Sequence, residues 1–215
     1  MSLVYLDKIP TLSRLSVEQK VRDIADRLEI DPNWLMIIFN YETAGQISPS
    51  TTNSIGCVGL IQFCPDKTGT KKIGNTVYTM NEIRSMSYSR QLELVYDFLK
   101  VYQNKVETIY DLYTSIFYPT ALGKPNSYIF GSEKSDSYAR IVAQQNPSIA
   151  NGDTYITRKN IIRIIDIQMK KANYTVTKVD SFIATGKMLK RNKYAILFSA
   201  LGVGLLTYVL LSDRG

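Results

Sequence analysis

Glu42 stands at the end of a run, Trp34 to Tyr41, in which nearly every residue is apolar. A carboxyl in such company differs chemically from a solvated one. Burial disfavours its charged form, and the C-terminal end of a helix presents the negative end of the dipole. Both effects raise the pKa, and a shift of about two units corresponds to roughly 2.7 kcal/mol. A carboxyl held protonated near neutral pH is suited to general acid catalysis. Beyond it lies a turn-rich loop, Ser48 to Asn53. The run Gly56-Cys57-Val58-Gly59-Leu60-Ile61-Gln62-Phe63 follows and leads to Pro65. Taken alone, Glu42 reads as an ordinary residue at a helix end, and the functional reading needs the motif that follows.

Other chemistries are limited by composition. The chain has no histidine and two cysteines, Cys57 and Cys64. That excludes a His-bearing triad and an ordinary four-ligand zinc site. The cysteines have apolar neighbours and read as buried free thiols, with pairing across their seven-residue separation left open. Most glycosidases use two carboxylates. Asp66, Glu82 and Asp111 are available here, but their spacing singles out none of them. The net charge of +7 is unevenly spread. Residues 1–157 hold 15 basic against 16 acidic side chains, and residues 158–215 hold 11 against 3. A nucleic-acid groove in the main domain is therefore not expected.

The elements that position these residues read as helices. A composition 45% hydrophobic and 21% charged is that of a folded chain. Ser16 with Gln19 suggests a capping box, and Val17, Val21, Ile24, Ala25 and Leu28 follow at helical spacing. Asp31-Pro32 supplies a cap and a first-turn proline for the helix ending at Glu42, which Thr43-Ala44-Gly45 terminates. Residues 66–88 read as a Lys/Gly/Thr-rich loop with a helical patch over Met80–Ser85. Leu92, Val95, Leu99, Tyr102 and Val106 mark another helix. Thr157 caps a last one, with Ile161, Ile164, Ile165 and Gln168 on its inner face.

The pattern Glu42-Thr43, Pro49, Asn53 and Gly56-x-x-Gly59-Leu60-Ile61-Gln62-Phe63-x-Pro65 resembles the lysozyme-like lytic transglycosylases, especially their phage-borne members. Cys57 stands where a small residue is usual and Cys64 where Met is common. The segment Asp111 to Pro119 resembles the element that lays a tyrosine against the catalytic acid. Tyr113 takes that role, with Tyr110 and Tyr118 as alternatives. The resemblance covers about residues 16–170. It implies a mostly α, goose-type/SLT helical domain over residues 1–173. Glu42 would be the catalytic acid, and Thr43, Asn53, Gly59, Gln62, Phe63 and Tyr113 would serve the substrate. It implies cleavage of the bond between N-acetylmuramic acid and N-acetylglucosamine in peptidoglycan with a 1,6-anhydro product, without cofactor or metal. A hydrolytic muramidase and a non-catalytic virion protein are the alternatives. Residues 146–157 resemble a calcium loop of the same enzymes. With only Asn151 and Asp153 as oxygen donors, a structural turn is favoured over a site that needs 6–8.

After this the composition changes. Residues 174–192 read as a linker ending in Lys187, Lys190 and Arg191, and residues 193–212 as a single transmembrane helix. Tyr194 to Ser212 carries no charge and, at 1.5 Å per residue, spans close to 30 Å. Tyr194 and Tyr208 would sit at the interfaces, and Ala200-x-x-x-Gly204 would form a packing face. The N-terminal MSLVYLDKIPTLSRL has no apolar run of signal-peptide length. The expected partners are thus glycan strands, the lipid bilayer and other virion membrane or capsid proteins.

Overall fold

Asp31 and Pro32 begin the helix around which the others gather. The Asp31 carboxylate accepts the Asn33 N–H at 2.7 Å, and Pro32 occupies the first turn, where no N–H is needed. This helix is α2, Pro32–Glu42, and Trp34 through Phe39 are all buried. A helix apolar on every side needs neighbours all round. Here they are α1 (Thr11–Leu28), α5 (Ile109–Phe117) and α8 (Arg158–Lys171). The computed structural model describes residues 2–175, which are mostly helical. Beyond Thr175, the expected linker and the transmembrane helix over 193–212 lie outside the described residues. Among the described residues, no helix is long and apolar enough to cross a membrane.

Helix α1 buries the expected Val17, Val21, Ile24, Ala25 and Leu28, but it begins at Thr11 and not at Ser16. The Ser16 hydroxyl turns back to the Ser13 carbonyl at 2.9 Å instead of capping. The added turns carry Leu12 and Leu15 on the exposed side. They join through the backbone, so hydrophobic periodicity does not reveal them.

Residues 66–88 depart further from the expected loop. Thr70–Ile73 (β1) and Thr76–Thr79 (β2) form an antiparallel hairpin with Thr70 opposite Thr79. Gly74, at φ 58°, opens its two-residue Gly-Asn turn. The polar, lysine-bearing strands hide the period-2 signal. The helical patch is present as α3, Met80–Ser85, with a Thr79/Glu82 capping box.

Helix α4, Tyr88–Leu99, buries Leu92, Val95 and Leu99, then tightens into a 3₁₀ stretch, Lys100–Lys105, before buried Val106. Arg27 of α1 clamps Glu93 of α4 through both guanidinium nitrogens at 3.0 and 3.2 Å. Asp111 closes the capping box of α5 with Thr108 and also receives Arg158 of α8 at 2.6 Å. Helices α6 (Asp136–Gln145) and α7 (Pro147–Ala150) complete the fold, and Thr157 with Asn160 caps α8 as expected. Ile161, Ile164, Ile165 and Gln168 are buried.

Candidate active site

Glu42 is the last residue of α2, and the chain leaves it through a tight helix stop. Gly45 N–H reaches the Asn40 carbonyl at 2.7 Å and Ala44 N–H reaches that of Tyr41 at 3.2 Å, with Ala44 at φ 50°. This pairing is a Schellman motif. Thr43 is fully buried within it. Its hydroxyl donates to the Phe39 carbonyl at 2.6 Å and accepts the Ile47 N–H at 2.7 Å. Thr43 therefore fixes the helix end and does not line the groove, contrary to its expected substrate role.

The Glu42 side chain lines a groove and remains partly open to it. Burial raises its pKa to about 7, and a hydrogen bond with Tyr113 pulls in the opposite direction. Tyr113, on α5, is 1% exposed. Burial first, and the Glu42 charge second, hold its pKa well above the ordinary value, so its hydroxyl stays a donor. The Tyr113 ring meets Tyr41 edge-on at 5.7 Å. The alternatives are engaged elsewhere: Tyr110 donates to Asp166 at 2.6 Å, and Tyr118 bonds to Glu133.

Opposite this acid lies the Gly-Gln turn. Val58 and Phe63 exchange both backbone hydrogen bonds, at 2.9 and 2.8 Å, closing a small hairpin over Gly59–Gln62. That register sets Cys57 against Cys64 in the next, non-hydrogen-bonded pair, where side chains come closest. Their Cα atoms are 4.0 Å apart and the sulfurs form a disulfide. The expectation of free thiols is corrected, because the hairpin register, not the apolar neighbours, decides the pairing.

Gln62 adopts φ 49°, in the left-handed region. Its amide Nε2 donates to the Gly59 carbonyl at 2.9 Å and to that of Thr51 at 3.2 Å. Its Oε1 is buried without a partner and the residue lines the groove. Such an acceptor is costly to leave unpaired, which favours a ligand donor there. Sequence reasoning missed the device beneath the turn. Fully buried Gln91 of α4 accepts the Leu60 N–H at 2.8 Å and donates to the carbonyls of Pro49 and Ile83 at 2.8 and 2.9 Å. Gly59 is required for this approach, since a Cβ there would stand 2.4 Å from the Gln91 oxygen.

Four expected residues, Glu42, Asn53, Gln62 and Tyr113, line one groove of about 700 Å³. Thr43, Gly59 and Phe63 do not. Gly59 packs on Gln91, and Phe63 is buried edge-on against Phe98 at 5.9 Å. The Asn53 side-chain oxygen is used by the N–H groups of Ile55 and Cys57, at 3.0 and 2.9 Å, so it shapes the loop from the rim. The other wall comes from Phe117, Tyr118 and Tyr138, with Gln145, Asn146 and Ser148 beside them. Among the described residues, Glu42 is the one charged side chain lining the groove.

The segment that resembled a calcium loop holds α7 and the turn that follows it at Asn151-Gly152. Asn151 sits at φ 55°, and the Asp153 carboxylate accepts the Asn160 amide at 2.7 Å. Set against models of protein families, curated proteins and solved structures, the chain matches none.

Proposed function

We propose that the protein is a peptidoglycan lytic transglycosylase with a lysozyme-like domain, cleaving the bond between N-acetylmuramic acid and N-acetylglucosamine. The observation that carries the reading is the groove itself. One carboxyl with pKa raised to about 7 lies in it, and the other polar lining consists of hydroxyls and amides among aromatic rings. That lining suits an uncharged, hydroxyl-rich ligand whose faces are apolar. A single acid also favours a mechanism in which the substrate supplies the second group.

In that mechanism Glu42 donates its proton to the glycosidic oxygen as the bond breaks. The acetamido oxygen of the muramoyl unit stabilises the positive charge developing at the anomeric carbon. Glu42, now ionised, removes the proton of the 6-hydroxyl, which closes onto the anomeric carbon to give the 1,6-anhydro product. Tyr113 orients the carboxyl and steadies its charged form, and the free Gln62 oxygen accepts a hydrogen bond from the sugar.

Mass spectrometry of muropeptides released from purified walls tests this. Anhydro ends are expected. Reducing ends identify a hydrolytic muramidase instead, and no release by the folded protein overturns the enzymatic reading in favour of a structural role. The proposal extends to place: residues 193–212 anchor the enzyme in a membrane, and a phage particle that opens the host wall during entry is the setting that the sequence pattern favours.

A further inference from the structure

Resting on the glycan-cleaving reading, we propose that Tyr118 is a saccharide-stacking platform for a sugar unit away from the scissile linkage, with Glu133 as its positioning residue. The rings on this wall form a continuous series leading out from the acid. Tyr113, bonded to Glu42, stacks on Phe117 with centroids 6.1 Å apart and planes 12° from parallel. Phe117 meets Phe130 at 6.1 Å, and Phe130 stacks on Tyr118 at 5.2 Å and 24°. Phe130 is 1% exposed and acts as a fixed backing, while Tyr118 is partly exposed and lines the groove.

The hydroxyl end of the ring is fixed as well. The exposed Glu133 carboxylate accepts from Tyr118 through one oxygen and from Tyr128 through the other, the latter at 2.7 Å. Burial, then the Glu133 hydrogen bond, raises the pKa of Tyr118, so it remains a donor in that pair. One face of the ring rests on Phe130 and its tip on Glu133 before any ligand arrives. What it can still offer the groove is its second face. A rigid aromatic face matches the C–H face of a pyranose, and pre-ordering removes part of the binding cost. Neither the acid nor the Gln62 turn requires this ring, so its restraint by Phe130 and Glu133 is left for binding to explain.

The test uses the full chain carrying Glu42→Gln, which binds without cleaving, and N-acetylglucosamine oligomers of increasing length. Adding Tyr118→Ala is expected to weaken binding of long oligomers about tenfold and to leave the shortest one unaffected. Tyr118→Phe keeps the face but loses the bond to Glu133, so Tyr118→Phe and Glu133→Ala should both fall between the parent and Tyr118→Ala. Tyr118→Leu, which fills the volume without an aromatic face, should repeat the Ala loss; recovery of parent affinity would mean that the Ala variant only loosened the wall, and would overturn the platform. Equal affinities for parent and Tyr118→Ala, or an equal loss at every length, overturns the platform and leaves the glycan reading in place. Failure of the folded Glu42→Gln chain to bind any oligomer overturns both.

Discussion

Glu42 is more stable protonated than ionised, and this preference sets two pH dependences. Its folded pKa of about 7 exceeds the ordinary 4.5. Below pH 4.5 both states hold the proton; between 4.5 and 7 the unfolded chain releases it first, so stability falls as pH rises through that window. The loss is at most about 3 kcal/mol, and less to the extent that water in the groove screens the charge. Glu42→Gln removes the titration, so urea unfolding should find it more stable than the wild type at pH 8 and nearly equal at pH 4. The same change should reduce turnover by about 10²- to 10⁴-fold. Wild-type activity should decline as pH rises past about 7, where the acid is lost. Tyr113→Phe removes the hydrogen bond that lowers the Glu42 pKa, so the alkaline limb should move upward. Turnover should also fall about tenfold or more, the size of one charge-assisted hydrogen bond. A pH–rate profile with an unmoved limb would place Tyr113 outside the acid's environment.

The two sides of the groove are held by different elements, and they should fail separately. The acid's side depends on the end of α2 and on α5, while the Gln62 turn depends on Gln91 and the Cys57–Cys64 bridge. Gln91→Leu would leave the Leu60 N–H and the Pro49 carbonyl without the partner Gln91 supplies, and the Ile83 carbonyl with the Met86 N–H at 3.3 Å, at a cost of about 2–4 kcal/mol. Its urea midpoint should drop, while the alkaline limb of activity, set on α2, stays where it was. Replacing both cysteines by serine should cost about 2–3 kcal/mol, as expected for a loop this short, and should raise KM as the Gln62 turn loosens. A reductant should reproduce that change in the wild type and have no effect on the double variant. This division also explains what the sequence could reveal. Asp31-Pro32, the apolar α2 and the Gly-Gln run are local patterns, and each falls where the pattern indicates. Gln91 lies 31 residues from the N–H it receives and looks like any polar residue of an amphipathic helix. The Tyr118 wall is equally hidden, because fifteen tyrosines give no sign of which one Phe130 and Glu133 will fix.

At the scale of the whole molecule, charge and apolarity part company along the chain, and they predict different kinds of membrane attachment. The basic cluster Lys187, Lys190, Arg191 and Lys193 would by itself bind anionic lipid at about 1 kcal/mol per charge, an attraction that salt screens within a few ångströms at 1 M. The uncharged stretch Tyr194 to Ser212 would bind through buried apolar surface, which salt does not weaken. The proposal of a membrane-spanning segment therefore makes a prediction that the basic cluster alone does not. In flotation with vesicles of mixed neutral and anionic lipid, the full chain should remain with the lipid in 1 M salt, and with wholly neutral vesicles too. Changing the four basic residues to glutamine should leave flotation intact, whereas placing two aspartates within the apolar stretch should abolish it, each costing about 2.5–3.5 kcal/mol at the helix centre. Release of the unaltered chain by salt would reduce the stretch to a surface contact, and the wall-cutting domain would then not be tethered as proposed.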